Sequence, residues 1–156
     1  MDSGLIITET TDKEKIMEVL KHPEIFDSIT SDSCPSIVEW DFEIDKQEFL
    51  LGEVEDQAAA LMIFYPDSPG WYCHVQVIPE YRKYAAEFGH KSLDWFWKNH
   101  EVNDLYAEIP SKYPKVVRFA EKNGFKPDIT LEDIYIKNGL TYNKTRYKLE
   151  RERWAL

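Results

Sequence analysis

The chain has 156 residues, of which 43% are hydrophobic and 14% aromatic, and its formal net charge is −10. This composition excludes a disordered chain and predicts one globular domain over residues 1–156. The strong negative charge repels polyanions, so we expect no nucleic-acid partner. No apolar run has the length of a membrane span, so we expect no membrane partner either.

The number and spacing of the cysteines and histidines bear on disulfides and metal sites. Two cysteines, Cys34 and Cys73, are too few for a disulfide framework or a four-cysteine zinc site. The histidines have no spacing typical of metal ligands, so we predict no metal centre. Because the first residues lack the basic and apolar regions of a secretory signal, we expect a cytoplasmic location.

The first third of the chain predicts short helices after an initial strand. Thr11 and Glu14 have the spacing of a capping box at a helix start, and Pro23 predicts the end of that helix. The predicted elements are a strand at 5–8, a helix at 13–21, a weak second helix around Ile25 and a loop at 28–35.

The middle of the chain predicts an antiparallel meander. Three strand-like runs are separated by short turns, and the third is rich in valine and aromatic residues, as a central strand is. The predicted strands are 49–54, 58–65 and 71–78.

The last part of the chain alternates helices and strands. Asn123 and Gly124 predict a left-handed end to a helix that begins near Pro114. The other predicted elements are a helix at 84–99, a strand at 104–109 and a terminal hairpin with its turn at 137–140. The residues alone therefore predict an α/β or α+β fold with a mixed sheet.

One stretch is more specific than the rest. Val77, Pro79 and Arg82 form a V-x-P-x-x-R turn between an apolar strand and an amphipathic helix, and the second helix after it stops at Asn123–Gly124–Phe125. This order of elements resembles the core of the GNAT superfamily of N-acetyltransferases. The resemblance implies a GNAT-like α/β domain, with a mixed sheet of six or seven strands and helices on both faces.

The resemblance also implies a coenzyme site. In GNAT proteins the turn after this strand binds the pyrophosphate of acyl-coenzyme A, which implies acetyl-CoA or another acyl-CoA as co-substrate. The corresponding binding positions are the backbone near Val77, the side chains of Arg82 and Lys83, and the helix start at Ala85 and Ala86.

The chain departs from the GNAT motifs at two places. Ala85 and Glu87 occupy the glycine positions of the family's Q/R-x-x-G-x-G/A loop, and Ala120 occupies the position of a tyrosine that often protonates the leaving thiolate. Degraded motifs of this kind resemble the divergent GNAT-like proteins of some bacteriophages, for which the location would be the host cytoplasm. Tyr113, at the start of the same helix, is the predicted substitute acid.

A transferase of this kind needs a base for the amine proton. His74 shares a strand face with Gln76 and has an ordinary pKa nearest neutrality, so it is the first choice. Glu53 and Glu55, expected on the adjoining strand and turn, are the second choices.

Three functions remain open from the sequence. The first is transfer of an acyl group from acyl-CoA to the amine of a small molecule or peptide. The second is a GNAT-fold protein that has lost catalysis and serves as an interaction or assembly partner, as a homodimer or in a phage particle. The third is a small-molecule binding module that uses the same cleft.

Overall fold

The computed structural model describes residues 3–29 and 45–154. They form one seven-stranded sheet with helices on both faces. The strands are β1 (Leu5–Thr10), β2 (Glu48–Val54), β3 (Gln57–Asp67), β4 (Gly70–Val77), β5 (Asp104–Pro110), β6 (Lys126–Lys137) and β7 (Leu140–Glu150). The helices are α1 (Lys13–Leu20), α2 (Pro23–Ile29), α3 (Ala85–Asn99), α4 (Pro114–Lys122) and α5 (Arg151–Trp154).

The strand order is β1-β2-β3-β4-β5-β7-β6. The predicted meander is confirmed, since β2, β3 and β4 pair antiparallel in sequence order. β4 then pairs with β5 in parallel, and β7 lies antiparallel between β5 and the edge strand β6. This mixed sheet is the architecture that the sequence predicted.

Alternation along the central strands separates two cores. Phe49, Leu51 and Leu61 face the buried side chains of α1, whereas Leu50 and Phe64 face those of α3. Successive strand residues point to opposite faces, so each face needs its own helical cover. The helices α1 and α2 supply one cover, and α3 and α4 supply the other.

The start of α1 corrects the sequence prediction. Its N-cap is Asp12, whose carboxylate accepts hydrogen bonds from the backbone N–H groups of Glu14 and Lys15 at 3.1 and 3.4 Å. The predicted capping box at Thr11 is therefore wrong by one residue. Aspartate caps at least as well as threonine, and it is the residue next to the first helical turn.

Two glycine turns behave as predicted. Gly124 has φ +98°, and the Phe125 N–H donates to the Ala120 carbonyl at 3.1 Å, which closes α4 in a Schellman motif. Asn138 and Gly139 both have positive φ and join β6 to β7 in the predicted hairpin.

The remaining predictions on local structure have mixed outcomes. The weak helix around Ile25 is confirmed as α2, so the predicted loop at 28–35 begins inside a helix, and its part from residue 30 to residue 35 lies outside the described residues. The helix predicted from residue 84 is preceded by a 3₁₀ segment, Pro79–Tyr84. No helix among the described residues is long and apolar enough to cross a membrane.

Candidate active site

The sheet opens between β4 and β5. The two strands pair at Trp71–Leu105 and Tyr72–Tyr106, at the start of each, and then diverge. On its other edge, β4 stays paired with β3 from Gly70 to Val77. The separation therefore widens toward the carboxyl end of β4, where the turn with Arg82 begins.

Backbone polar groups of β4 face this gap. The Ile78 N–H donates to the Ala59 carbonyl of β3 at 2.8 Å. In an antiparallel pair alternate residues exchange hydrogen bonds, so the N–H and C=O groups of Val75 and Val77 point away from β3. They point toward the gap that β5 leaves, which is where the sequence placed a backbone contact at Val77.

A cavity of about 200 Å³ lies in the gap. Its wall includes side chains from both faces of the sheet, since Cys73 and His74 are adjacent on β4, and Glu108 and Ile109 are adjacent on β5. The remaining lining residues are Ile29, Met62, Val75, Gln76, Leu93, Ala107, Pro110, Tyr113, Val116, Phe119, Ala120, Asn123, Phe125, Tyr135 and Lys144. The cleft thus connects the α3–α4 face with the opposite face.

His74, the predicted base, lines this cleft. Its Nε2 is 3.1 Å from the Tyr65 hydroxyl, and the two rings stack with centroids 5.5 Å apart. Its side chain is solvent-accessible, but it lies between the cleft walls. Loss of hydration there lowers the pKa of His74, Lys144 lowers it further, and Glu108 opposes them. The imidazole is therefore neutral at neutral pH and able to accept a proton.

An ion pair beside His74 was missed from the sequence. Lys144 Nζ on β7 is 3.1 Å from Glu108 Oε1 on β5. Glu108 pairs directly with Arg146 in the register of the two strands, and Lys144 with Pro110. The alternation of Leu105, Ala107 and Ile109 in the sequence shows that Glu108 faces away from the core, but it does not show which strand lies beside β5.

Tyr113 also reaches the cavity. Its hydroxyl is 3.4 Å from that of Tyr135, on β6, and the rings meet edge to face. Tyr135 was not predicted, because it lies on an edge strand about twenty residues away in sequence and arrives through the β6–β7 hairpin. Cys73 on the wall is buried, whereas the two tyrosines are half-buried; burial raises the pKa of its thiol to about 12, so it stays protonated.

The turn after β4 differs in detail from the free helix start that the sequence predicted. The Ala85 N–H donates to the Arg82 carbonyl, because the 3₁₀ segment runs directly into α3. Ala85 is half-buried and Ala86 is exposed. The Arg82 side chain is 69% exposed and 4.0 Å from Glu24, and Lys83 lies 5.3 Å from the Tyr84 ring centre. Both side chains are exposed, but neither lines the cavity in the gap.

Glu87 does not face the cavity. Its carboxylate is 2.7 Å from Lys91, one helical turn further on, and hydrogen bonds from Lys91 and Ser3 lower its pKa. The negative charge that stands at a family glycine position is therefore paired. It does not oppose an anion as strongly as an isolated carboxylate would.

Glu53 is not brought to His74. It lies on β2, which is separated from β4 by β3, and it is 3.8 Å from Lys15 of α1. Glu55 lies in the turn after β2 with φ +51° and is exposed. The prediction that they adjoin the His74 strand is wrong, because β3 lies between β2 and β4 both along the chain and in the sheet.

Known protein structures have the same arrangement of strands and helices. The spermidine N-acetyltransferase of Vibrio cholerae, solved with CoA and spermine, superimposes with a TM-score of 0.80 at 14% identity over 99% of this chain and 100% of that one. The protein smu.2055 of Streptococcus mutans superimposes with a TM-score of 0.74 at 14% identity over 93% and 98%. The fold is that of the GNAT N-acyltransferases.

The sequence itself gives no closer link. No family model and no curated protein sequence matches this chain. The likeness is carried by the arrangement of strands and helices and covers nearly the whole chain. The resemblance to phage proteins stays a prediction, since the similar structures named above come from two bacteria.

Proposed function

We propose that this protein transfers an acyl group from acyl-CoA, with acetyl-CoA as the expected donor, to a primary amine. The observation that carries the proposal is the open seam between β4 and β5. It combines unpaired backbone groups of β4, a cavity and the His74 side chain at one place. The structural neighbours include a spermidine N-acetyltransferase solved with CoA and spermine, which supports this class of reaction.

Each residue has a proposed role in binding the donor. The diphosphate lies at the turn, where Arg82 and Lys83 are exposed cations and the first residues of α3, Ala85 and Ala86, allow close approach. The pantetheine arm enters the gap and bonds to the backbone of β4 near Val77. Donors fixed before the reaction stabilise the charge that develops on the thioester oxygen.

The chemical step needs one base and one acid. The amine nitrogen attacks the thioester carbon, the C–N bond forms, and the C–S bond then breaks to release the CoA thiolate. His74 takes the amine proton at Nδ1 in the tautomer whose Nε2–H donates to Tyr65. Tyr113 lies on the cavity wall and donates a proton to the thiolate.

Thermal unfolding with acetyl-CoA, with free CoA and without ligand tests donor binding. A ligand that binds only the native state at about 100 times its Kd stabilises by about 2.7 kcal/mol, which raises the midpoint by several degrees. Arg82→Ala should weaken the affinity about tenfold, as expected for loss of a charge-assisted contact. Arg153→Ala, an exposed arginine on α5, is the matched control and should bind as the wild type does.

The catalytic part is tested by release of the CoA thiol with a panel of amines. His74→Gln should lower kcat about a hundredfold or more, with little change in the midpoint shift caused by acetyl-CoA. No midpoint shift at millimolar acetyl-CoA would contradict the proposed function.

One observation favours the alternative function, an interaction or assembly protein. The hairpin of β6 and β7 exposes a cluster of large apolar side chains at a sheet edge, and such surfaces often bind other chains. These residues are Ile129, Leu131, Ile134, Ile136 and Leu140, which are 40–60% exposed. Light scattering of the wild type and of Ile134→Ser with Ile136→Ser tests self-association. A dimer that the double variant breaks would support this role.

A further inference from the structure

The cavity wall contains one adjacent pair of opposite charges. Among the described residues that line it, Lys144 is the only lysine or arginine and Glu108 is the only carboxylate. Their charged atoms are 3.1 Å apart, and each side chain is about a third exposed, at 32% and 28%. Both groups are therefore accessible to a ligand that enters the cleft.

These charges lie beside the predicted base. His74, Glu108 and Lys144 point to the same face of the sheet, and both charged groups act on the pKa of His74. An amine that transfers its proton to His74 must therefore lie near this pair. The acceptor meets both a cation and an anion at that point.

We propose that the acceptor is a small amino acid whose carboxylate binds Lys144 and whose ammonium binds Glu108. The inference rests on the proposed acyl transfer and names its acceptor class. A zwitterion can exchange partners with an existing ion pair without leaving either charge unpaired. Because the protein charges are only 3.1 Å apart, a ligand that engages both carries its own charges close together, as an α-amino acid does.

The same geometry disfavours a polyamine. The net charge of −10 attracts cations in general. The acidic residues that produce this net charge are spread along the chain, however. Charges more than about 8 Å from a ligand are largely screened at physiological salt. The Lys144–Glu108 pair is neutral as a whole, so it offers a polyamine one anionic contact, and Lys144 repels any further ammonium group that lies close to it.

The charges of a bound zwitterion act on His74 in opposite directions. Its carboxylate offsets Lys144, which lowers the pKa of His74, and its ammonium offsets Glu108, which raises it. The ammonium loses one proton to solvent before it reacts. The neutral amine then attacks the thioester carbon, His74 takes the second proton as the C–N bond forms, and the C–S bond breaks to release the CoA thiolate, which takes its proton from Tyr113.

The experiment compares matched acceptors. Glycine, alanine, phenylalanine and tyrosine are each assayed against their own carboxamides, with spermidine as the polycation, by release of the CoA thiol. We expect kcat/KM to favour the best amino acid over its carboxamide by about tenfold or more, as for a charge-assisted contact. Lys144→Gln should remove the preference through KM. Lys148→Gln, four residues further along β7 and on the same face of the sheet but outside the cavity, should keep it.

Binding without turnover separates this inference from the proposed function. The midpoint of thermal unfolding is measured with each amino acid and carboxamide, with and without acetyl-CoA. A shift with an amino acid that Lys144→Gln removes supports the site even if acetyl-CoA neither binds nor reacts. Equal shifts or equal turnover within each pair, a preference for spermidine, or no shift with any amino acid would overturn the inference, whether or not acetyl-CoA binds.

Discussion

The strand β4 has two unlike edges. Toward β3 it is paired along its whole length, from Gly70 to Val77, and the β3 side chains from Ala58 to Phe64 are buried on both faces of the sheet. Toward β5 it is paired at Trp71 and Tyr72 and then open. One strand thus belongs to a continuous core on one side and to a cavity on the other.

The difference shows how a small domain can hold a cleft without losing its core. The closed seam is flanked by side chains such as Leu61 and Phe64, which are fully buried against α1 and α3. The open seam leaves backbone groups unpaired, which costs free energy unless water or a ligand satisfies them. The packed core on the β3 side of β4 therefore stabilises the domain while the β5 side stays open as a cleft.

The largest expected difference between the seams is in stability. Leu61 on β3 is fully buried in the closed seam, whereas Ile109 on β5 is buried but borders the cavity. Leu61→Ala should lower the free energy of unfolding by about 2–5 kcal/mol, since the rigid surroundings cannot close the hole. Ile109→Ala should cost less, because part of its surface already faces a void.

Urea denaturation of both variants measures this difference. Ile6→Ala, at a side chain that is 61% exposed, is the control and should change stability by less than about 0.5 kcal/mol. Equal losses in the free energy of unfolding for Leu61→Ala and Ile109→Ala would mean that the two seams are packed alike.

The second-largest loss of stability is expected at the end of α4, a helix whose residues line the cavity between β4 and β5. Gly124 ends α4 with φ +98°, and a Cβ there would lie 3.1 Å from the buried Leu149. Gly124→Ala should cost about 1–2 kcal/mol for the left-handed conformation, plus the contact. Gly139→Ala has φ +74° and open space around its Cβ, so it isolates the backbone part. A smaller loss for Gly124→Ala than for Gly139→Ala, in the same denaturation experiment, would contradict the contact.

The sequence predicted the helices and strands better than it predicted which strands lie side by side in the sheet. The spacing of apolar residues located all seven strands and the four longer helices, and Gly124 located the end of α4. Local patterns also placed His74 and Tyr113 on elements that reach the cavity. In each case the information lies within a few residues of the position concerned.

The misses concern which strands are neighbours in the sheet. Glu53 was expected beside His74, but the predicted meander itself places β3 between β2 and β4, and the structure has the same order. Glu108 and Lys144 meet only because β7 inserts between β5 and β6. Tyr135 reaches the cavity through the same insertion. Contacts of this kind depend on strand order, which no short sequence window contains.

Close packing of α3 on α4 gives a smaller, coupled effect. A Cβ on Gly89 would lie 2.7 Å from the Phe119 ring, and Phe119 lines the cavity. In Gly89→Ala the cost of overpacking, about 1–3 kcal/mol, is offset in part by about 1 kcal/mol of helix propensity. We expect a net loss of about 1 kcal/mol and weaker acetyl-CoA binding, since the displaced ring enters the gap. Unchanged affinity in a titration would show that Phe119 moves away from the cavity.

The smallest effect is electrostatic and has a sign that can be checked. Lys144 lowers the pKa of His74 and Glu108 raises it, on top of the lowering by desolvation. Lys144→Gln should therefore raise the pKa of His74, and Glu108→Gln should lower it further. An NMR titration of the His74 ring from about pH 8 to about pH 5 spans the range in which histidine changes charge. Lys148→Gln is the control for a general change in surface charge.

The same shift predicts how stability depends on pH. Because the pKa of His74 is lower in the folded state than in the unfolded state, the unfolded state binds more protons as the pH falls below the ordinary histidine value. The His74 contribution to stability is thus present above that value and is lost as the pH falls through the folded-state pKa. In His74→Gln this part of the acid destabilisation should disappear from the thermal midpoints, and in Lys144→Gln it should shrink. If neither Lys144→Gln nor Glu108→Gln changes this pH dependence, solvent in the open seam screens both charges from His74.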